Sequence, residues 1–160
     1  MAYNPIESFV INQAIAETST TQNLSIGTRI KAIDSTLGEG EFIYLKGLAS
    51  TAIGELVIFD QYANTTTRAV AGSRGPAAVA MSANVASQYG WYQISGAAVI
   101  KAGTVAANAA VYVTATAGTV DDAVVSGDKL DGARFKTADG TPSSGFAYCQ
   151  LARPSLNGNG

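Results

Sequence analysis

The sequence predicts an all-β protein, a single compact β-barrel or β-sandwich with an extended N-terminal arm. From Ser25 onward, short runs rich in Val, Ile, Tyr, Phe and Thr alternate with Gly, Asn, Asp and Ser. This punctuation recurs about every 8–12 residues, a spacing typical of sandwiches and barrels, and indicates about ten strands. The first 24 residues lack the pattern. We therefore predict an arm over residues 1–24, a body over 25–153 and a C-terminal tail over 154–160, where Pro154 is expected to end strand pairing.

The N-terminal arm carries the candidate partner-binding residues. Its apolar side chains follow neither the helical nor the strand period. They are Tyr3, Ile6, Phe9, Val10 and Ile11. Residues 6–16 are compatible with one or two helical turns, and the polar ETSTTQN that follows is typical of a linker. We expect this arm to pack on something other than its own core.

The first strands of the body are predicted from alternation and from apolar runs. In TRIKAID (28–34), Ile30 and Ala32 share one face, and charged side chains occupy the other. EFIYLKG (41–47) and GELVIFD (54–60) are apolar on both faces, which is typical of strands covered on both sides.

Later segments contain one ambiguity. AAVAMSANVA (77–86) is rich in alanine, which favours a helix in isolation. Its strand-forming neighbours favour a strand followed by a turn near Ser82–Asn84, and both interpretations stay open. A further strand is expected over 88–95, with a turn after it, and Asn108 is expected to lie in a turn.

Three large aromatic side chains fall within four positions of the sequence: Tyr89, Trp91 and Tyr92. In a strand, Tyr89 and Trp91 lie on one face, and Tyr92 lies on the other with Ile94. We interpret them as core residues of a central strand. A contact between subunits and a ligand-stacking platform are the alternatives.

Composition argues against an enzyme. The chain of 160 residues contains no histidine, which removes the usual general base and zinc ligand. Cys149 is the only cysteine, has no activating neighbour and is predicted to be a buried structural thiol. We therefore predict no catalytic residue, cofactor or metal site. A net charge of −2 without a basic stripe argues against nucleic acid, and the apolar runs are too short for a membrane span.

Two acidic clusters are candidate sites that we interpret as turns. Asp34, Glu39 and Glu41 surround two glycines, but their spacing does not match a calcium loop. Five aspartates lie in the last third of the chain, where paired carboxylates would suit a glycosidase only within a cleft. These are Asp121, Asp122, Asp128, Asp131 and Asp139. Loop aspartates usually accept hydrogen bonds from nearby backbone amides.

Several stretches resemble the capsid decoration, or cement, proteins of tailed bacteriophages. The resemblance is carried by GEGEFIYLKG (38–47), QYGWYQISG (88–96) and GARFKTADGTPSSGFAYCQLARP (132–154). It implies a β body with an N-terminal arm that binds the major capsid protein on the outer surface of the virion, which is assembled in the host cytoplasm. It also implies self-association, as a homotrimer or alternatively a homodimer. A carbohydrate-type ligand-binding β module is the alternative function.

Overall fold

All regular structure in the described part of the chain is β-strand. The computed structural model describes residues 4–5, 12–48, 50–83 and 87–158. The strands within them are β1 (Asn4–Pro5), β2 (Thr18–Ser19), β3 (Arg29–Asp34), β4 (Gly38–Lys46), β5 (Leu56–Phe59), β6 (Thr66–Arg68), β7 (Gly75–Ala80), β8 (Tyr89–Lys101), β9 (Ala110–Val113), β10 (Val120–Asp121), β11 (Lys129–Phe135) and β12 (Phe146–Leu156). The all-β prediction is confirmed, and the fold is of the sandwich or barrel type.

The strands pair antiparallel in the order β1-β3-β4-β8-β7-β12-β11-β9-β10, with β5 on β7, β6 on β5 and β2 on β8. Strand β8 is the centre of this arrangement. Its first half pairs with β4, and its second half pairs with β12. One long strand therefore connects the two halves of the body.

Continuity of β8 depends on Gly96, where the sequence predicts a turn. The chain bends instead, because Gly96 has a φ of +94° and the strand continues on both sides of it. A Cβ atom here would lie 2.4 Å from the carbonyl oxygen of Glu39 on β4. Only glycine permits both this backbone conformation and this approach of two strands.

The buried side chains form three clusters, and β8 contributes to each of them. Trp91 belongs to one cluster, Tyr92 and Ile94 to a second, and Ala98 and Ile100 to the largest. Successive side chains of a strand point to opposite faces, so a strand between two packed layers is apolar on both. The prediction that 88–95 is a strand with core on both faces is confirmed.

Other strand predictions also hold. Strand β3 alternates as expected, with Ile30 and Ala32 buried and the charged side chains exposed. Residues 77–80 of the alanine-rich segment lie in the strand β7 and not in a helix, because β5 and β8 flank them and their side chains are buried. Residues 84–86 of that segment lie outside the described residues. Asn108 has a φ of 64° in its turn. No helix in the described ranges is long and apolar enough to cross a membrane.

The expectation that Pro154 ends strand pairing is wrong. Strand β12 continues to Leu156, which is 1% exposed, and Ser155 pairs with both Asp131 and Pro76. The register between β11 and β12 shifts at Gly132, opposite residues 152–154. Proline is tolerated at such an irregularity because a regular ladder hydrogen bond is not required there.

Candidate functional site

The segment of residues 12–24 is held on the body by one buried glutamine. Gln13 is 3% exposed, and its side-chain Nε2 donates to the carbonyl oxygens of Glu17 and Tyr89, each at 2.9 Å. Its Oε1 accepts from the Tyr44 hydroxyl at 2.8 Å and from Asn23 at 3.2 Å. Every hydrogen-bonding position of this amide is therefore occupied.

For residues 12–24, these contacts correct the prediction that the arm packs on something other than its own core. Ile15 is 4% exposed and lies in the same cluster as Trp91. The backbone oxygen of Gln13 accepts from Trp91 Nε1 at 3.1 Å, and Thr18–Ser19 pairs with β8. Residues 12–16 contain bends and a turn, whereas helical turns were compatible with the sequence. The buried side chain of Ile15 and the fully hydrogen-bonded amide of Gln13 therefore hold residues 12–24 against the body.

The five candidate partner-binding residues Tyr3, Ile6, Phe9, Val10 and Ile11 lie outside the described residues. In the same part of the chain, Asn4–Pro5 pairs with Ile33 and Ala32 at the edge of β3. The assignment of the five candidate residues to a partner contact stays a prediction.

The aromatic trio does not form a ligand-stacking platform. Trp91 and Tyr92 are each 0% exposed, on opposite faces of β8. Tyr44 packs between Trp91, edge to face at 5.1 Å, and Tyr89, stacked at 6.2 Å. Burial raises the pKa of Tyr44 above its ordinary value, because the charged phenolate would lose its hydration. The trio is core, with Tyr89 at its half-buried margin.

The first acidic cluster is dispersed among structural contacts. Asp34 Oδ1 accepts from the backbone N–H groups of Thr36 and Leu37 at 2.8 and 2.9 Å, closing the turn before β4. Glu39 pairs with Lys31, and Glu41 pairs with Arg153. The three carboxylates thus have partners that a metal ion would have to displace.

Of the five later aspartates, Asp121, Asp122, Asp128 and Asp139 hold loops, whereas Asp131 lies within strand β11. Three of them accept backbone hydrogen bonds: Asp121 from Ala123, Asp122 from Ala106 and Asp139 from Val105. Asp128 accepts from Gly72 and pairs with Arg74, and Asp131 pairs with Lys129. This is the turn role that the sequence indicates, with several of the bonds connecting distant loops.

Sequence reasoning missed a buried carboxylate at Glu55. This residue is 2% exposed, and its Oε1 lies 2.9 Å from Lys101 Nζ and 3.6 Å from Arg68 Nη1. Its Oε2 accepts from the backbone N–H of Ala52 at 3.0 Å. A Cβ atom at Gly118 would lie within 2.9 Å of this side chain, so glycine leaves the space for it. No local motif indicates the cluster, because Glu55 precedes β5 whereas Arg68 lies on β6 and Lys101 on β8.

A concave surface, which we name the Phe59 groove, lies around Phe59 and Gln61. Three adjoining depressions share Phe59 and Gln61 in their walls. Arg29 lines two of them, and Arg153 lines the one that also contains Ile94. The groove lies where β3, β5, β7, β8 and β12 meet the loop of residues 60–65. Its walls carry neither of the acidic clusters predicted from sequence.

The loop beside the groove presents an exposed aromatic ring. Tyr62 is 98% exposed and lines one of the three depressions. Backbone N–H groups of Ala63 and Tyr62 donate to Asp60 Oδ1 and hold the pKa of that carboxyl below its ordinary value. The loop is therefore ordered by its own aspartate, and its aromatic side chain is exposed.

The Cys149 thiol is expected to be inert in the folded protein. Burial raises its pKa from 9.0 to about 12, so the reactive thiolate is scarce near neutral pH. We expect maleimide or disulfide reagents to label the Cys149 thiol slowly in buffer and rapidly in denaturant, as a timed mass measurement would show.

The raised pKa of Cys149 also predicts a pH dependence of stability. Above about pH 9 the unfolded state loses the thiol proton before the folded state does, so the free energy of unfolding should fall as the pH rises toward 12. Cys149→Ala should remove the part of this loss of stability that comes from the thiol. Rapid labelling of Cys149 in the folded protein would contradict its description as a buried, unreactive thiol.

No protein-family model matches this chain, and none of the curated proteins matches it.

Proposed function

We propose that the protein is a virion structural protein of a tailed bacteriophage, a capsid decoration protein that binds the outside of the major capsid protein shell and stabilises it. The resemblance of three stretches to such proteins suggests this class. The proposed role is non-enzymatic and requires no cofactor. The proposed assembly is a homotrimer, with a homodimer as the alternative.

The observation that supports this proposal most directly is the anchoring of residues 12–24 by Gln13. These bonds hold Gln13 on the body, and the proposed binding segment in residues 1–11 directly precedes this anchored residue in the sequence. Tethering raises the effective concentration of a second contact once the first has formed, so modest contacts by arm and body reinforce each other. Many copies on one shell multiply the effect, which suits a protein that stabilises a capsid.

The test is a pair of truncations assayed on undecorated capsids of the phage that encodes the protein. Deleting residues 1–11 keeps Gln13 and Ile15 and removes only the two-residue strand β1 from the edge of β3, so we expect a folded, slightly less stable body that no longer co-sediments with capsids at full occupancy. Deleting residues 1–24 uncovers Trp91 and Tyr44, so we expect a destabilised body. Cryo-electron microscopy of the decorated particle would locate the contacts.

Two results separate the parts of this proposal. Full decoration by the 1–11 deletion would show that the arm is not the binding element. Failure of the intact chain to bind any form of the capsid would contradict the decoration function itself.

A further inference from the structure

An asparagine directly precedes a glycine where the last strand ends. Asn157–Gly158 follows β12, and the same pair recurs once in the sequence, at Asn159–Gly160, outside the described residues. The side-chain carbon of an asparagine can close a five-membered ring with the backbone nitrogen of the next residue. Glycine in that next position favours the closure, because it has no Cβ atom to obstruct the approach and leaves the backbone free to adopt the required conformation.

The surroundings of Asn157 leave the reacting groups accessible. Asn157 is exposed, and strand pairing ends one residue before it, at Leu156. Among the residues that the structure describes, none accepts a hydrogen bond from the Gly158 N–H. The attacking nitrogen is therefore not held in a strand ladder, where its hydrogen bond and rigid backbone would oppose ring closure.

Asn108 provides a comparison within the same chain. It is also exposed and lies in a turn, but the residue after it is Ala109. The Ala109 N–H donates to the carbonyl oxygen of Ala106 at 3.3 Å. Both the Cβ atom and this hydrogen bond oppose ring closure at Asn108, and neither obstacle exists at Asn157.

The Asn157 side chain also connects the end of the described chain to β11. Its Nδ2 donates to Asp131 Oδ2 at 3.2 Å and to Ser155 Oγ at 3.1 Å. Gly158 lies beside Arg74, so closely that an added Cβ would collide with the guanidinium. An ionised carboxylate has no hydrogen to donate. Converting the Asn157 amide to a carboxylate would therefore remove both bonds and place a second negative charge beside Asp131.

We propose that Asn157 is a site of spontaneous deamidation in the folded protein, and that the reaction releases the chain after Leu156 from β11. The Gly158 nitrogen gives its proton to a base in solution and bonds to Asn157 Cγ, and the Cγ–Nδ2 bond breaks to release ammonia. Water then adds to either carbonyl carbon of the succinimide and opens the ring. The products are aspartate and isoaspartate, and the balance is one amide and one water giving one carboxylate and one ammonium ion.

The release follows from the chemistry of both products. Each carries a carboxylate that repels the ionised Asp131, since like charges close together disfavour each other. Isoaspartate also adds one carbon atom to the main chain before Gly158, which shifts this glycine relative to Arg74. The inference does not depend on the capsid role, because the reaction requires only water.

The test is ageing of the full-length protein in mildly alkaline buffer, followed at intervals by mass spectrometry of its proteolytic peptides. Fragmentation separates position 157 from position 159, and labelling by an isoaspartyl methyltransferase detects isoaspartate. We expect Asn157 to convert at least about tenfold faster than Asn108, because the Cβ and the hydrogen-bonded amide of Ala109 raise the barrier there. In an Asn159→Gln variant, which keeps a single Asn-Gly pair, the ammonia released should match the conversion at position 157.

Asn157→Gln is the matched control, since its longer side chain keeps an amide but cannot close the five-membered ring. It should give no product at position 157. The amide NMR signal of Asp131 should shift in step with conversion of the natural chain, and Asn157→Asp should reproduce that shift without ageing. Conversion of Asn157 no faster than that of Asn108, or only in urea, would overturn the site. An unchanged Asp131 signal in fully converted protein would overturn the release.

Discussion

Replacing Gly96 by alanine is expected to lower the free energy of unfolding by about 2–5 kcal/mol. A left-handed backbone costs a residue with a Cβ roughly 1–2 kcal/mol, and overpacking costs roughly 1–3 kcal/mol more. Both terms apply, because Gly96 has a φ of +94° and its added Cβ would lie 2.4 Å from the Glu39 carbonyl oxygen. Urea denaturation followed by circular dichroism measures the difference.

Gly140→Ala is the matched control for this prediction. Gly140 has a φ of +91°, but nothing lies within 4 Å of the position of its added Cβ. It should therefore show the backbone cost alone, about 1–2 kcal/mol. Equal losses in the two variants would mean that the approach of β4 to β8 at Gly96 adds no energetic constraint.

Replacing Gln13 by alanine is expected to destabilise the protein by about 2–4 kcal/mol, because each buried group left without a partner costs roughly 1–3 kcal/mol. The Tyr44 hydroxyl and the Tyr89 carbonyl both lose their bonds to the glutamine side chain. Trp91 is the only tryptophan of the chain and donates to the Gln13 backbone. Its emission therefore reports on this contact, and we expect a red shift and greater access to acrylamide in the variant.

Gln22→Ala is the control, since Gln22 lies in the same segment but is exposed. It should change stability by no more than about 0.5 kcal/mol, as surface substitutions usually do. Indistinguishable melting and emission of the two variants would show that the Gln13 bonds do not hold residues 12–24 on the body.

The strands and their faces could be predicted because they depend on short-range periodicity. Alternation at Ile30 and Ala32, and two-sided hydrophobicity around Trp91 and Tyr92, each appear within a few neighbouring residues. The same logic predicted Cys149 as a buried thiol. Asp34 and Asp121 were interpreted correctly as turn residues for a similar reason, since both bond amides within three positions.

Other features arise from contacts between distant parts of the chain. The continuous strand through Gly96 depends on a carbonyl group more than fifty positions away, and the pairing of Glu55 with Lys101 joins residues 46 positions apart. In the sequence, Gln13 is indistinguishable from an ordinary polar linker residue. Its role depends on Tyr44 and Trp91, which are 31 and 78 positions away and contact it in the fold. Local patterns carry no information about such partners.

The sequence by itself determined the all-β class, most strand positions and the burial of the aromatic trio, because hydrophobic periodicity acts within each strand. Only the tertiary structure decided that residues 12–24 belong to the body, that β12 continues through Pro154 and that Glu55 meets Lys101 and Arg68. These features depend on which strands become neighbours, and that is settled by the packing of the whole chain.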